Sequence, residues 1–125
     1  MNKLLKIDNI MYFVRDLNKS AKFYEDILGM KRRWTDKERG MIGFTFQDSD
    51  SELALYNDLK IPNYNFSFLV KNVDNFCKEF KENGYRIKTK PIGVRCGKYA
   101  IPLDPNDNII PIIDLTKFGS KPKYD

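Results

Sequence analysis

The stretch IDNIMYFVRDLNKSAKFYEDILGM, residues 7–30, carries a strand pattern followed directly by a helix pattern. Its first part is rich in Ile, Tyr and Phe, which favours a strand, although Asn is depleted from strands and Asn9 interrupts the run. Apolar side chains then recur at helical spacing, at Leu17, Ala21, Tyr24 and Leu28, with Phe23 and Ile27 beside them. Asp16 or Asn18 can cap this helix, and Gly29 suits the left-handed position after its last turn.

The second half of the chain repeats this pattern. In NFSFLVKNVDNFCKEFKENG, residues 65–84, a short apolar segment precedes a helical stripe made of Val73, Phe76, Cys77 and Phe80. Asn72 is the predicted cap of this helix and Gly84 its predicted end. An offset of 56 residues superposes Asn9 on Asn65, so two asparagines occupy matching places in an internal repeat.

Three strand-like segments follow each predicted helix, at residues 30–36, 40–47 and 51–56 and at residues 85–90, 93–103 and 108–115. Turn-forming sequences separate them. The order βαβββ therefore occurs twice, which predicts an α+β fold in which two modules form a curved mixed sheet around a cleft, with the helices on the outside. We expect a single domain over residues 1–125, with module 1 at about 5–57, a linker at about 58–62, module 2 at about 63–116 and a C-terminal tail at 117–125.

The composition is that of a globular protein, with 42% hydrophobic, 31% charged and 14% aromatic residues. No apolar run approaches the roughly 20 residues that cross a bilayer, and the N-terminus lacks the long apolar segment of a secretory signal. We therefore expect a cytoplasmic protein with no membrane partner. Cys77 and Cys96 form no CxxC pair, so we expect free thiols.

Charge and missing residue types exclude several classes of function. The net charge of +5 comes from 22 basic and 17 acidic residues spread along the chain, so we interpret it as solvated surface and expect no nucleic-acid partner. The chain contains no histidine, which removes the commonest general base and the commonest transition-metal ligand. It also lacks the GxGxxG and GxxxxGK[ST] patterns of dinucleotide and P-loop sites.

Alternation along the strands predicts that both asparagines lie on the side that the helices do not cover. We expect Ile10, Tyr12 and Val14 to pack beneath the first helix, so that Asn9 faces away, and Asn65 faces away in the fifth strand by the same alternation. A buried amide needs hydrogen-bond partners, which a cleft supplies through water or a ligand. The alternative is that each amide caps an adjacent backbone group.

Four stretches carry a family resemblance: IDNIMYFVRDLNKSAKFYEDILGMK (7–31), ELALY (52–56), YNFSFLVKNVDNF (64–76) and DPNDNIIPIID (104–114). With the two-fold βαβββ order, they resemble the vicinal oxygen chelate superfamily, the glyoxalase, bleomycin-resistance and extradiol dioxygenase group. The first stretch is similar to the family's opening strand and its FY-x-x-x-LG-[LM] helix end, and the last to its DP-x-GN turn. Asp107 replaces the usual Gly of that turn, and Asp tolerates a left-handed backbone.

The resemblance bears on metal binding. In metal-dependent members four ligands line a U-shaped cleft, and the resemblance places their positions at Asn9, about Ala54, Asn65 and Pro111. Family enzymes use His, Glu or Gln there, whereas amide oxygens are weak ligands for nickel, zinc or iron. The resemblance therefore implies no metal and no other cofactor, and it assigns no catalytic residue.

Non-catalytic members of this family sequester a toxic or antibiotic molecule, so the resemblance implies a metal-free protein that binds an antibiotic or metabolite. The alternative is a metal-dependent lyase or dioxygenase with atypical ligands, recruited from Glu52, Asp114 or a partner chain. The basic chain favours a neutral or anionic organic ligand. Family resemblance and the exposed edges of short strands both predict a homodimer. The expected cleft residues, whose aromatic members ordinary core packing would also explain, are Asn9, Met11, Phe13, Trp34, Ala54, Tyr56, Asn65, Leu69, Tyr99 and Pro111.

Overall fold

The computed structural model describes residues 3–60 and 65–118. Part of the predicted linker (61–62) and most of the predicted tail (119–125) lie outside the described residues. The elements are β1 (Lys6–Phe13), α1 (Leu17–Asp26), β2 (Lys31–Asp36), β3 (Met41–Thr45), β4 (Glu52–Tyr56), β5 (Phe66–Leu69), α2 (Val73–Glu82), β6 (Ile87–Gly93), β7 (Lys98–Pro102) and β8 (Ile112–Ile113).

Hydrogen bonds order the strands of the first half of the chain as β2-β3-β4-β1 and those of the second half as β5-β8-β7-β6. The β1–β4 and β5–β8 pairs are parallel, and β2–β3, β3–β4, β6–β7 and β7–β8 are antiparallel. A mixed sheet with two helices confirms the predicted α+β class. Within residues 3–60 and 65–118, neither helix has both the length and the apolar character needed to cross a membrane.

The described chain divides into two compact units, each holding one helix. The first unit contains residues 8–60 and 65–66, and the second contains residues 3–7 and 67–118. The boundary falls inside β1 because the segment before it belongs with β5, where the Leu5 N–H donates to the Leu69 carbonyl oxygen at 2.8 Å.

In the first unit, α1 packs on β3 and β4. Asp16 caps the helix by accepting a hydrogen bond from the Lys19 N–H, and Gly29 adopts the expected positive φ of 67°. The buried cluster beneath the helix consists of Ala21, Ile42, Phe44 and Leu55, with Val14, Leu17, Tyr24 and Met30 packed against it.

Two packing predictions for this unit are wrong. Ile10 and Tyr12 do not pack beneath α1 but are 37% and 45% exposed, because the helix covers β3 and β4 rather than β1. The predicted apolar stripe also extends too far. Because α1 ends at Asp26, Ile27 and Leu28 lie beyond it and are 69% and 55% exposed, and Phe23 is exposed as well.

In the second unit, α2 packs on β6 and β7 over the buried residues Val70, Val73, Phe76, Cys77, Ala100 and Ile112. Asn72 caps the helix as predicted, and Gly84 adopts a φ of 86°. The buried Asp114 carboxylate holds the start of the helix, since its Oδ2 accepts from the Val73 N–H at 2.7 Å and its Oδ1 from the Lys98 N–H at 2.9 Å.

The last two strands are shorter than predicted for different reasons. β7 begins only at Lys98 because β6 extends to Gly93 and the chain turns over residues 94–97, and β8 is shortened by the larger turn that follows β7. The Asp104 carboxylate accepts hydrogen bonds from the Asn106 and Asn108 backbone N–H groups at 2.8 Å each, so the chain turns instead of continuing β7. Asp107 adopts a φ of 65°, which confirms the left-handed position expected there. The strand predicted over residues 108–115 is reduced to Ile112–Ile113.

Both cysteines are free and buried, as expected. Burial raises the pKa of the Cys77 thiol, and the nearby Asp74 carboxylate raises it further. The thiol therefore stays protonated and unreactive at neutral pH.

Candidate functional site

The strands of the first unit present a second face, opposite α1, which we call the distal face. Strand register defines it, because directly paired residues share a side of a sheet: Asn9 pairs with Glu52, Met11 with Ala54 and Phe13 with Tyr56. The antiparallel pairs extend the same side across β3 and β2. The distal face consists of Asn9, Met11, Phe13, Lys31, Trp34, Asp36, Met41, Gly43, Thr45, Glu52, Ala54 and Tyr56.

The centre of the distal face is apolar. Met11, Trp34, Ala54 and Tyr56 form a buried cluster that contains no residue of α1. The Phe13 ring meets the Tyr56 ring edge-on, with centroids 5.8 Å apart. Burial raises the pKa of the Tyr56 hydroxyl above its ordinary value, so the phenol is neutral in the physiological pH range. This surface suits a flat apolar molecule.

Trp34 belongs to the buried apolar cluster at the centre of the distal face, which we call its floor. The side chain is only 5% exposed, and its Nε1–H donates to Oε1 of Glu52 at 2.9 Å. The indole lies directly against the backbone of Gly43, where an added Cβ would stand 2.1 Å from Cε2 of the ring. Glycine at position 43 is therefore what allows the indole to reach Glu52.

One end of the distal face is a row of buried polar side chains. Asn9, Glu52 and Thr45 follow one another across β1, β4 and β3 and are 6%, 1% and 4% exposed. Asn9 donates from Nδ2 to Oδ2 of Asp8 at 2.8 Å, and Arg33 donates from Nε to Oγ1 of Thr45 at 2.8 Å. Among the described residues, Oδ1 of Asn9 accepts no hydrogen bond. The row therefore combines a buried carboxylate with a buried amide oxygen whose capacity to accept a hydrogen bond is unused among the described residues.

The strand register shows which residue of the fourth strand lies opposite Asn9. Ala54 pairs with Met11, whereas the residue opposite Asn9 is Glu52. Strand alternation puts Glu52, Ala54 and Tyr56 on one face in either case. Only the register of two parallel strands, far apart in sequence, decides which of them meets Asn9. The sequence does contain one signal, because Glu52 is a charged residue at the start of an otherwise apolar strand, and charged residues are rarely buried without a partner.

The two asparagines are not equivalent. Asn65 precedes β5 and is exposed, and its backbone carbonyl rather than its side chain is engaged, accepting from the Met11 N–H at 2.9 Å. Pro111 is buried just before β8, and its carbonyl accepts from the Phe68 N–H at 2.8 Å. The Pro111 carbonyl oxygen therefore takes part in a hydrogen bond between strands of the sheet.

In the second unit, Leu69 and Tyr99 both pair with Ile113, so they share the face opposite α2. Ser67, two residues before Leu69, is fully buried, and its Oγ forms no hydrogen bond among the described residues. Arg95 lies outside the strands, with its guanidinium 5.2 Å from the centre of the Phe118 ring.

The residues present do not fit zinc, nickel or iron. No group of three His, Cys, Asp or Glu side chains in residues 3–60 and 65–118 is arranged to hold one. The distal face offers the Glu52 carboxylate and the Asn9 amide oxygen, whereas zinc, nickel and iron favour imidazole or thiolate alongside carboxylate. Asp114, the other carboxylate considered, accepts from Val73, Lys98 and Thr116. No chemical step through a metal can be derived from this donor set.

The family model of the Glyoxalase/Bleomycin resistance protein/Dioxygenase superfamily matches residues 6–112. No curated protein matches the chain in sequence.

Many solved structures are similar to the chain, including the following three. A variant of Streptomyces coelicolor methylmalonyl-CoA epimerase, in complex with 2-nitronate-propionyl-CoA, is 18% identical with a TM-score of 0.66, over 90% of this chain and 98% of that one. Methylmalonyl-CoA epimerase from Mycobacterium tuberculosis is 17% identical with a TM-score of 0.60, over 87% of each chain. The Mn(II)-bound glyoxalase from Novosphingobium aromaticivorans is 16% identical with a TM-score of 0.58, over 91% of this chain and 40% of that one. Identities this low support the fold alone.

Proposed function

Because the chain belongs to the Glyoxalase/Bleomycin resistance protein/Dioxygenase superfamily, we propose that it is a metal-free binding protein for a small organic molecule, an antibiotic or a metabolite. The molecule lies on the distal face of the first unit and leaves chemically unchanged.

One observation carries this proposal, namely that an apolar floor ends in a buried amide oxygen with an unused hydrogen-bonding capacity. Met11, Ala54 and Tyr56 supply apolar contact, and Oδ1 of Asn9 fixes the orientation of the bound molecule. A few placed polar groups on an apolar surface are typical of small-molecule sites. One of the similar proteins is in complex with a CoA ester, which supports a small organic ligand for this fold.

A metal-dependent lyase or dioxygenase is the second candidate. Glu52 favours it, since a buried carboxylate opposite Asn9 is a possible metal ligand or proton acceptor. The missing imidazole and thiolate donors weigh against it. Addition of Mn²⁺, Ni²⁺ or Zn²⁺ during an assay for loss of a methylglyoxal–thiol adduct separates the two candidates, because only the enzyme gains turnover.

The proposal extends to the partners of the protein and to its location in the cell. The net charge of +5 favours a neutral or anionic ligand, and the dispersed charge gives no nucleic-acid surface. Short strands leave sheet edges that a second subunit can pair with, and Ile10 and Tyr12 are exposed on one side of β1, so we expect a homodimer. We place the protein in the cytoplasm without a membrane partner.

The test is a screen of antibiotics and aromatic metabolites by the fluorescence of Trp34, the only tryptophan, which lies in the floor of the distal face. Hits are confirmed by calorimetry and recovered for mass spectrometry. We expect binding with recovery of the unchanged compound. Removing the orienting hydrogen bond in Asn9→Ala weakens binding roughly five- to tenfold. Asn18→Ala, an exposed change on α1, serves as the control. Conversion of a hit, or equal binding by parent and Asn9→Ala, overturns the proposal.

A further inference from the structure

We propose that the bound molecule donates a hydrogen bond, from an O–H or N–H group, to Oδ1 of Asn9. The inference rests on the proposed function, because it names the chemistry of the group that the polar end of the distal face receives. It excludes a carboxylate or carbonyl at that end of the ligand.

The orientation of the Asn9 amide is fixed by its neighbour. Nδ2 of Asn9 donates to Oδ2 of Asp8 at 2.8 Å, and both side chains are buried. A carboxylate oxygen only accepts, so rotating the amide would set two acceptor oxygens against each other. Oδ1 is thereby held as the group available for a ligand, and among the described residues it accepts no hydrogen bond.

The polar residue directly opposite Asn9 is an acceptor. Glu52 stands opposite Asn9 and receives the indole N–H of Trp34 at 2.9 Å. The Nε–H of Arg33 is directed to Thr45, the next residue of the polar row. At Oδ1 itself a ligand carboxylate or carbonyl would set one acceptor against another, whereas an O–H or N–H group would satisfy a buried acceptor.

The need for a hydrogen-bond donor restricts the chemical group at one end of the ligand. The expected net charge of the ligand, neutral or anionic, is not affected. A neutral or anionic molecule qualifies if the end that reaches Asn9 is a hydroxyl, an amide N–H or an amine. Its aromatic body then lies over Met11, Ala54 and Tyr56, the apolar members of the distal face.

The experiment uses four probes that share one ring, namely phenol and aniline as donors and anisole and benzoate as acceptors without a donor. Their dissociation constants are measured from the indole N–H resonance of Trp34 in ¹⁵N–¹H spectra. The chain has only one tryptophan, and its indole N–H contacts Glu52. The ratio of the anisole constant to the phenol constant is compared between variants, which cancels the difference in hydrophobicity between the probes.

In the parent we expect benzoate to bind most weakly. In Asn9→Leu the anisole-to-phenol ratio should fall roughly five- to tenfold, because the acceptor is gone. Asp8→Asn should lower the ratio as well, because a neutral partner lets the Asn9 amide rotate, and this variant serves if Asn9→Leu does not fold. Asn18→Ala should leave the ratio unchanged.

The experiment distinguishes failure of the donor assignment from failure of the proposed function. Binding of all probes with a ratio that Asn9→Leu and Asp8→Asn leave unchanged overturns the donor assignment while the distal face remains a binding site. Absence of any shift of the Trp34 resonance, with all four probes at millimolar concentration, contradicts the distal face as the site and with it the proposed function.

Discussion

Replacement of Gly43 by alanine is predicted to displace the Trp34 indole. A Cβ atom at Gly43 would lie 2.1 Å from Cε2 and 2.2 Å from Nε1 of the ring. These atoms belong to a buried, rigid ring system, so the whole indole must shift. The shift breaks the 2.9 Å hydrogen bond from Nε1 to Glu52 and disrupts the packing of the apolar cluster next to the polar row.

The expected loss of stability follows from three terms. Forcing an additional methyl group into a packed region costs about 1–3 kcal/mol. Losing a hydrogen bond to a charged group costs about 1.5–3 kcal/mol. Reduced freedom of the unfolded chain offsets about 0.4–1 kcal/mol. The free energy of unfolding should therefore fall by about 2–5 kcal/mol, which moves a urea midpoint by about 1–2 M.

Urea unfolding followed by circular dichroism measures this loss, and Trp34 emission reports the movement of the ring. Gly93→Ala is the matched control, because its added Cβ meets nothing within 4 Å and its φ is not positive. It should change stability by less than about 0.5 kcal/mol. On a Trp34→Phe background the Gly43→Ala change should cost less, because the smaller ring leaves room. Equal stability of Gly43→Ala and Gly93→Ala, with unchanged Trp34 emission, would refute the reasoning.

Three further predictions concern stability, pH and association. Asp114→Asn should destabilise the protein by about 2–4 kcal/mol in urea unfolding, because an amide cannot accept all the hydrogen bonds that the buried carboxylate accepts; the exposed Asp74→Asn should change it little. The side-chain and backbone hydrogen bonds from Asn108 lower the pKa of Asp104, so its contribution to stability is present above the ordinary aspartate pKa of about 3.9 and is lost as the pH falls through the lower folded-state pKa. Asp104→Asn should therefore flatten the acid limb of a stability–pH curve, and an unchanged limb contradicts this. Sedimentation should show a dimer at micromolar concentration that Tyr12→Lys weakens, whereas a parent that sediments as a monomer removes the association prediction.

Local chemistry made much of the fold predictable from the sequence. The caps at Asp16 and Asn72 and the left-handed positions at Gly29, Gly84 and Asp107 are each decided by a residue and its immediate neighbours, and the structure has all of them. Strand alternation likewise identifies the two sides of each strand.

What the sequence left undecided depends on contacts between distant segments. Alternation cannot say which strands a helix covers, so the exposure of Ile10 and Tyr12 was not predicted. The register of β1 against β4 is set by the whole sheet, so Glu52 rather than Ala54 was recognised opposite Asn9 only in the structure. The burial of Trp34 required the missing side chain of Gly43, which lies nine residues away on the paired strand β3, so it depends on the β2–β3 register. The list of cleft residues as a ligand site stays a prediction.

The central claim is that binding needs no metal, and one titration tests it most directly. Protein dialysed against a chelator, and shown by elemental analysis to hold well below one transition metal per chain, is titrated calorimetrically with a hit from the Trp34 screen. The titration is repeated with added Mn²⁺, Ni²⁺ or Zn²⁺. We predict one binding event whose dissociation constant is the same with and without metal, and a ligand that is recovered unchanged. Binding that appears only after metal is added, or conversion of the ligand in its presence, would contradict the account.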